Sequence, residues 1–256
     1  MQKSGSLYKI FHTPSELAEA FAKELAEKIN VTGKSGLPFM LAVSGGNTPR
    51  LLFSILAEEY CTSVDWGTVH FFWVDERCVS PDDPESNYGM TKQILFDKID
   101  IPSCNIHRIR GKDDPVKEAV RYSHEILKQI RTKDKLPVFD LIILGIGDDG
   151  HTASIFQGNL NLIDSEKICE VAVHPLSGQK RITLTGKVIN NADFVAFLAT
   201  GQNKAQIIDE IFKKKAQYMN YPATFISPSH GVISWFMDDK AGELIKQSLF
   251  VKNLKK

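Results

Sequence analysis

The chain has 256 residues, with 31 basic and 31 acidic side chains and therefore no formal net charge, and 43% of its residues are hydrophobic. That length allows a substantial buried core, and the charge balance excludes a global field favouring nucleic acid or an anionic membrane, so any anionic ligand must be held by a local site. No apolar run approaches the roughly 20 residues of a membrane span, and Cys61, Cys78, Cys104 and Cys169 have neither paired nor metal-finger spacing; with no basic segment leading into a long apolar one near the N-terminus, a reduced cytoplasmic setting is expected.

Thr13-Pro14-Ser15-Glu16 reads as a helix start, with Thr13 as N-cap, Pro14 at the first helical position and Glu16 closing a capping box. Leu17, Phe21, Leu25 and Ile29 then recur every four residues on one face. Residues 39 to 43 form the first central strand, followed by Ser44-Gly45-Gly46-Asn47-Thr48-Pro49 and a helical stretch from Leu51 to Glu59. Residues 69 to 74 read as a second strand, and the Pro- and Asp-rich loop from Cys78 to Glu85 leads to a helix that Ser86 caps. Asp114-Pro115 opens another helix with Val116, Val120, Leu127 and Ile130 on its apolar face, which delivers the chain to an almost wholly apolar strand at 139 to 144. Strand and helix alternate, which predicts an α/β fold with a mostly parallel sheet. After residue 165, strands are expected at 168–173, 181–184, 194–199, 223–226 and 233–237, with a helix over 203–212 and another at the C-terminus. Without a linker, low-complexity segment or internal repeat, residues 1–256 read as one domain with a small subdomain after residue 165.

Three loops carry candidate chemistry. The glycines of the 44–49 segment expose backbone N–H groups ahead of a helix, which suits a phosphate; the alternative is a plain turn in which Thr48 caps the helix. Asp75-Glu76-Arg77 follows an apolar strand, where Arg77 offers a planar fork to an anion or the three charges simply solvate the strand end. Leu-Gly-Ile-Gly-Asp-Asp-Gly-His at 144 to 151 runs from the apolar strand into a glycine-rich turn, and ligands of parallel sheets bind at such carboxyl ends. His151 is the side chain there that titrates nearest neutrality, so it is the candidate general base. The same stretch satisfies G-x-G-x-x-G, but barely two turns follow before Gly158, and Glu170 falls at the start of its strand, so dinucleotide binding is not expected. Asp148, Asp149 and His151 lack a second histidine at ligand spacing, so no metal is expected either. Lys204, in the first turn of its helix, opposes the helix dipole unless an anion is near, and Arg181 at a strand start is a second cationic candidate.

Taken together, Ser-Gly-Gly-Asn-Thr-Pro at 44–49, Asp-Glu-Arg at 75–77 with Ser86-Asn87, and Leu-Gly-Ile-Gly-Asp-Asp-Gly-His-Thr-Ala-Ser-Ile-Phe at 144–156 resemble the 6-phosphogluconolactonase family in order and spacing. Arg181-Ile-Thr-Leu-Thr185, Gly201-Gln-Asn-Lys-Ala205 and Trp235-Phe-Met-Asp238 extend the likeness to nearly the whole chain. Gln157 departs from the family's usual proline, and Asp148 occupies a variable or proline position. The resemblance implies a three-layer α/β fold shared with glucosamine-6-phosphate deaminase and hydrolysis of 6-phospho-D-glucono-1,5-lactone in the oxidative pentose phosphate pathway. It implies no cofactor, no metal and no partner beyond the sugar-phosphate lactone; nothing in the pattern sets an oligomeric state. His151 is then the base, Asp149 its orienting carboxylate, and Ser44, Gly45, Gly46, Thr48, Arg181 and Lys204 the phosphate site, with Arg77 at the reacting end or the phosphate. The deaminase is the rival: it has tyrosine where this chain has Arg77 and a glutamate that assists ring opening where this chain has Phe156, and a phenyl ring transfers no proton. A non-catalytic sugar-phosphate sensor is a further alternative, but no helix-turn-helix segment or basic tail accompanies the domain.

Overall fold

The computed structural model describes residues 7 to 246. Its elements are β1 (Leu7–Phe11), α1 (Pro14–Lys34), β2 (Phe39–Val43), α2 (Asn47–Glu59), β3 (Val69–Trp73), β4 (Asp75–Arg77), α3 (Asn87–Ile94), β5 (Ile106–His107), α4 (Pro115–Gln129), the short pair β6 (Thr132–Lys133) and β7 (Leu136–Pro137), β8 (Leu141–Leu144), β9 (Cys169–Val173), β10 (Lys180–Leu184), α5 (Gly186–Ile189), β11 (Phe194–Ala199), α6 (Ala205–Phe212) and β12 (Val232–Asp238). Seven strands in the order β1-β12-β11-β8-β2-β3-β5 form the central sheet, every pair parallel, with helices around it. No helix among the described residues is long and apolar enough to cross a membrane.

The sheet forms where the sequence is apolar without interruption. All residues of β2 and β8 are buried, as strands covered on both faces require. Helix α1 begins as its sequence dictates, with the Thr13 side chain accepting from the Glu16 N–H, although the Glu16 carboxylate closes the turn on the His12 N–H. Leu17, Phe21, Leu25 and Ile29 are at most 1% exposed, each such side chain contributing about 1.5–3 kcal/mol by leaving water.

The connections position the site. From β2 the chain moves through α2 to β3 on one side, whereas from β8 it proceeds to β11 on the other, and β2 and β8 are neighbours. The loops at their carboxyl ends therefore diverge and leave a crevice, the place where parallel α/β sheets bind ligands. A second, antiparallel sheet of β4, β10 and β9 stands beside it. The junction between β3 and β4 is fixed by a phenol: Tyr122 Oη accepts from the Trp73 N–H at 2.8 Å and donates to the Trp73 carbonyl at 3.0 Å, on the edge where β5 has already ended at His107.

Several sequence expectations are corrected. Strand β1 lies in a segment read without structure, and in place of the strand expected at 223–226 there is a 3₁₀ turn, Pro222–Phe225, with Ile226 as its C-cap. Only a 3₁₀ turn, Gln202–Lys204, covers the start of the helix expected over 203–212. Of the residues expected on the apolar face of α4, Ile130, its C-cap, is buried, but Val116, Val120 and Leu127 are 65%, 54% and 40% exposed, and the buried face of the helix is Glu118, Ala119, Tyr122 and Ile126. Hydrogen bonds decide that orientation: Glu118 accepts from the Arg110 N–H and from the Arg121 guanidinium, so a buried carboxylate and a phenol turn inward where apolarity alone points to the valines. The expected terminal helix starts at residue 243 and otherwise lies outside the described residues.

Candidate active site

Ser44 leaves the buried end of β2, and Gly46, at φ +105°, is the N-cap of α2 with no side chain capping the first turn. Thr48 is thus not the cap; its hydroxyl lies 2.9 Å from that of Thr200. Gly45 permits a close approach, since a Cβ there would stand 1.8 Å from Asn87 Oδ1. The uncapped N–H groups carry the positive end of the helix dipole. Beside them the Ser44 hydroxyl is buried without a hydrogen-bond partner, an unsatisfied group of the kind that a ligand completes.

The turn after β8 is closed by the Gly147 N–H donating to the His151 carbonyl at 2.8 Å and the Gly150 N–H to the Gly147 carbonyl at 3.0 Å. Gly150 has φ +78° and faces the Tyr221 ring, while a Cβ on Gly147 would lie 2.0 Å from His151 Nδ1. The imidazole sits directly over that glycine. Its Nδ1 is 2.5 Å from Asp149 Oδ1, and the His151 N–H donates to the same oxygen at 3.2 Å. Burial pushes the Asp149 carboxyl up, but the hydrogen bonds and charge of His151 outweigh it and bring it to about 2. An ionised Asp149 fixes the neutral ring with its proton on Nδ1, leaving Nε2 as the acceptor. Gln157 donates to the Asp149 carbonyl at 2.8 Å, and Phe156, 1% exposed, packs with its ring centroid 4.9 Å from that of His151.

Asp75-Glu76-Arg77 is not a solvated strand end. Asp75 and Glu76 are 5% and 2% exposed, in a strand paired with β10. Ser154 Oγ donates to Asp75 Oδ2 at 2.6 Å. Glu76 accepts from the N–H groups of Arg77, Asn87 and Tyr88 and from the Ser86 hydroxyl, which anchors the start of α3; burial nevertheless raises its pKa. The β4–β10 register sets Arg77 directly opposite Arg181, an arrangement of like charges that is unfavourable unless an anion stands between them. Arg77 donates from Nη1 to the Glu85 carbonyl at 2.5 Å, and its Nε is buried without a partner. Arg181 reaches Gln179 Oε1 at 3.3 Å, and burial pulls its pKa down, opposed by the Asp75 charge and reinforced by that of Arg77. Neither guanidinium forms an ion pair with a carboxylate among the described residues.

Lys204 is the N-cap of α6, and the anion that offsets its unfavourable place at the helix start belongs to the protein. Its Nζ pairs with Asp148 Oδ1, which also accepts from Asn203 Nδ2 at 2.8 Å. Asp148 therefore turns to Lys204 and Asp149 to His151, so the two carboxylates and the imidazole do not converge; among the described residues no group of three His, Cys, Asp or Glu side chains could hold a metal.

A cavity of about 240 Å³ is lined by Ser44, Gly45, Gly46, Arg77, His151, Arg181 and Lys204, together with Asp75 and Asn87. Asp149 stands behind the imidazole, outside this lining, and Thr48 lines an adjoining recess with Thr200 and Asn203 that shares Gly45, Gly46 and Lys204 with the cavity. Asp75 and Asn87 are absent from the sequence-derived site, although both lie in the motifs quoted for the family. The signal was the unexplained acidic residue after an apolar strand. Three cations, exposed loop N–H groups and an oriented imidazole in one cavity suit a small phosphorylated ligand that undergoes proton transfer.

Residues 12–235 match the family profile described as Glucosamine-6-phosphate isomerases/6-phosphogluconolactonase. The chain is similar to the 6-phosphogluconolactonase of Aggregatibacter actinomycetemcomitans, 42% identical over 229 residues that span 89% of this chain and 97% of the relative. Among solved structures it is similar to the devB protein, with a TM-score of 0.87 at 41% identity over 94% of this chain and 100% of the other. A monomeric glucosamine-6-phosphate deaminase matches with a TM-score of 0.73 at 20% identity over 93% of this chain and 99% of the other, a likeness of fold.

Proposed function

The chain belongs to the glucosamine-6-phosphate isomerase/6-phosphogluconolactonase family, and from that premise we propose that it hydrolyses 6-phospho-D-glucono-1,5-lactone to 6-phospho-D-gluconate. The observation that carries the choice within the family is the surroundings of His151: a carboxylate on Nδ1 at 2.5 Å and the buried phenyl ring of Phe156 packed against the imidazole. The first makes an oriented base; the second supplies no acid for opening an amino sugar.

In this reading the phosphate lies against the N–H groups of Gly45 and Gly46 and the Ser44 hydroxyl, with Lys204 and Arg181 as its cations. Arg77, opposite Arg181, completes the positive surround. A water at the lactone carbonyl gives its proton to His151 Nε2 as its oxygen bonds to C1, and Asp149 stabilises the imidazolium that forms. When the bond from C1 to the ring oxygen breaks, the ring oxygen takes that proton, and the new carboxylic acid releases one to solvent. A lactone is an activated ester, so no covalent nucleophile is needed. Thr48 stays bonded to Thr200 at the edge of this site.

The test is proton release from 6-phosphogluconolactone, above its spontaneous hydrolysis, beside ammonia release from glucosamine 6-phosphate. The lactonase reading expects the first to be catalysed and the second to be absent. Ammonia release comparable with lactone hydrolysis would overturn it, and wild-type turnover by His151→Ala would remove His151 as the base.

A further inference from the structure

Of the three cations lining the cavity, Arg77 and Arg181 stand opposite one another in register without a carboxylate ion-pair partner among the described residues, whereas Lys204 is already neutralised. Its Nζ is paired with Asp148, whose other contact is Asn203 Nδ2 at 2.8 Å. The Lys204 side chain is 18% exposed and that of Asp148 66% exposed; the lysine is thus enclosed by the site, while its counter-ion sits at the mouth, on the loop that also carries Asp149 and His151. The hydrogen bond from Lys204, and then that from Asn203, hold the Asp148 carboxyl below its ordinary range, so it is ionised at neutral pH and stays bound to the lysine.

We propose that Asp148 is the resident counter-ion of Lys204 and a determinant of how tightly the site holds phosphorylated ligands: each must displace Asp148 from the ammonium, or share it with a carboxylate that repels the phosphate. This rests on the reading of Lys204 as a phosphate ligand. The physical basis is a competition between two anions for one cation. A solvent-exposed carboxylate is a weak competitor, because solvent screens an exposed ion pair and holding it costs side-chain freedom; a dianion that also collects the loop N–H groups and Arg181 wins, at reduced affinity. The competition acts on reactant and product alike, since both carry the phosphate. It keeps the enclosed lysine from standing uncompensated when the site is empty, and it loosens the product's hold.

The experiment is calorimetric titration of the full chain with inorganic phosphate at low ionic strength, comparing wild type with Asp148→Asn and Lys204→Met. Asparagine keeps the shape of the side chain at an exposed position and removes only its charge. The inference expects Asp148→Asn to bind phosphate about threefold to tenfold more tightly, from relief of competition and of short-range repulsion, with the gain shrinking as salt screens the charges. Lys204→Met should bind it more weakly. Unchanged or weakened binding by Asp148→Asn, with Lys204→Met still impaired, would overturn the inference and make Asp148 an orienting residue for Lys204, leaving the phosphate assignment intact. Unchanged binding by Lys204→Met would overturn that assignment, and the inference with it.

Discussion

Under the proposed mechanism, replacing Asp149 by asparagine separates support of the base from stability of the fold. In the folded chain the Asp149 carboxyl falls from 3.8 to about 2, burial raising it and the contacts with His151 lowering it more. At 1.36 kcal/mol per pH unit the difference is about 2.5 kcal/mol, but the side chain is 44% exposed, and solvent screening reduces this to about 1 kcal/mol. Asp149→Asn should therefore lower the melting temperature by only a few degrees. Its effect on rate is larger because the amide carries no charge. One Asp149 oxygen accepts from both Nδ1 and the His151 N–H, so the amide oxygen keeps that position while the imidazolium formed in the proposed step loses its counter-charge. The whole general-base contribution, about 10²–10⁴ in kcat, is then at stake, and the expected loss is about 10²- to 10³-fold with KM within about threefold. The assay is initial proton release in a pH-stat at several lactone concentrations, with the spontaneous rate subtracted. Combining Asp149→Asn with His151→Ala should cost no more than His151→Ala alone, since the two act as a unit. A kcat within fivefold of wild type, or losses that multiply in the double variant, would refute the reasoning.

Other outcomes follow from the same geometry. Gly147→Ala needs no unusual backbone angle, yet its Cβ meets His151 Nδ1; kcat should fall about 10²-fold with an unchanged circular dichroism spectrum, and normal turnover would show that the ring has room to move. Arg181→Ala should lose about 1.5–3 kcal/mol of kcat/KM on 6-phosphogluconolactone and little on unphosphorylated gluconolactone, whereas equal losses on both would take Arg181 out of the phosphate site. Away from the site, His107 Nε2 lies 3.0 Å from His70 Nδ1 and His107 Nδ1 2.8 Å from Glu125 Oε1. Burial lowers the pKa of both histidines, with Glu125 opposing at His107 and Arg121 adding to it. Folded-state values below 6.5 mean that their contribution is complete above about pH 6.5 and is lost as pH falls through the lowered values. His107→Gln should flatten the decline of melting temperature between about pH 7 and pH 5, and parallel declines in both proteins would assign the acid sensitivity elsewhere.

The part of the fold that was legible in the sequence is the part whose residues are buried on every side. β2, β8 and β11 are short apolar runs because a parallel strand has two covered faces, and the glycine turns that follow β2 and β8 stand out against them. β1, Leu-Tyr-Lys-Ile-Phe, mixes polar and apolar side chains as an edge strand does, and so gave no comparable contrast. α4 was placed correctly along the chain and rotated wrongly, because Glu118 and Tyr122 face inward to satisfy backbone groups of Arg110, in the loop before the helix, and of Trp73, 49 residues from Tyr122. The site divides in the same way. His151 and the loop glycines announce themselves locally, but the buried Asp75 carboxylate is held by the Ser154 hydroxyl, 79 residues away, and by Asn87 Nδ2. The pairing of Lys204 with Asp148 spans 56 residues and could be read in the sequence only as an unexplained charge at a helix start.

The phenol of Tyr122 does for the end of β3 what a further residue of β5 would do in a longer sheet, but through one oxygen on a rotatable side chain. A strand enforces position along its whole length and tolerates the loss of any one side chain; a hydroxyl concentrates that duty in a single atom. Tyr122→Phe removes almost no volume, so the core around α4 hardly registers it, yet the Trp73 N–H and carbonyl both lose their partner at the joint from which Asp75 and Arg77 depart. The alignment of the two arginines is therefore coupled to a helix that contributes nothing to the cavity lining. A change there propagates as misdirection of charge in the cavity, in a protein whose apolar packing is little altered.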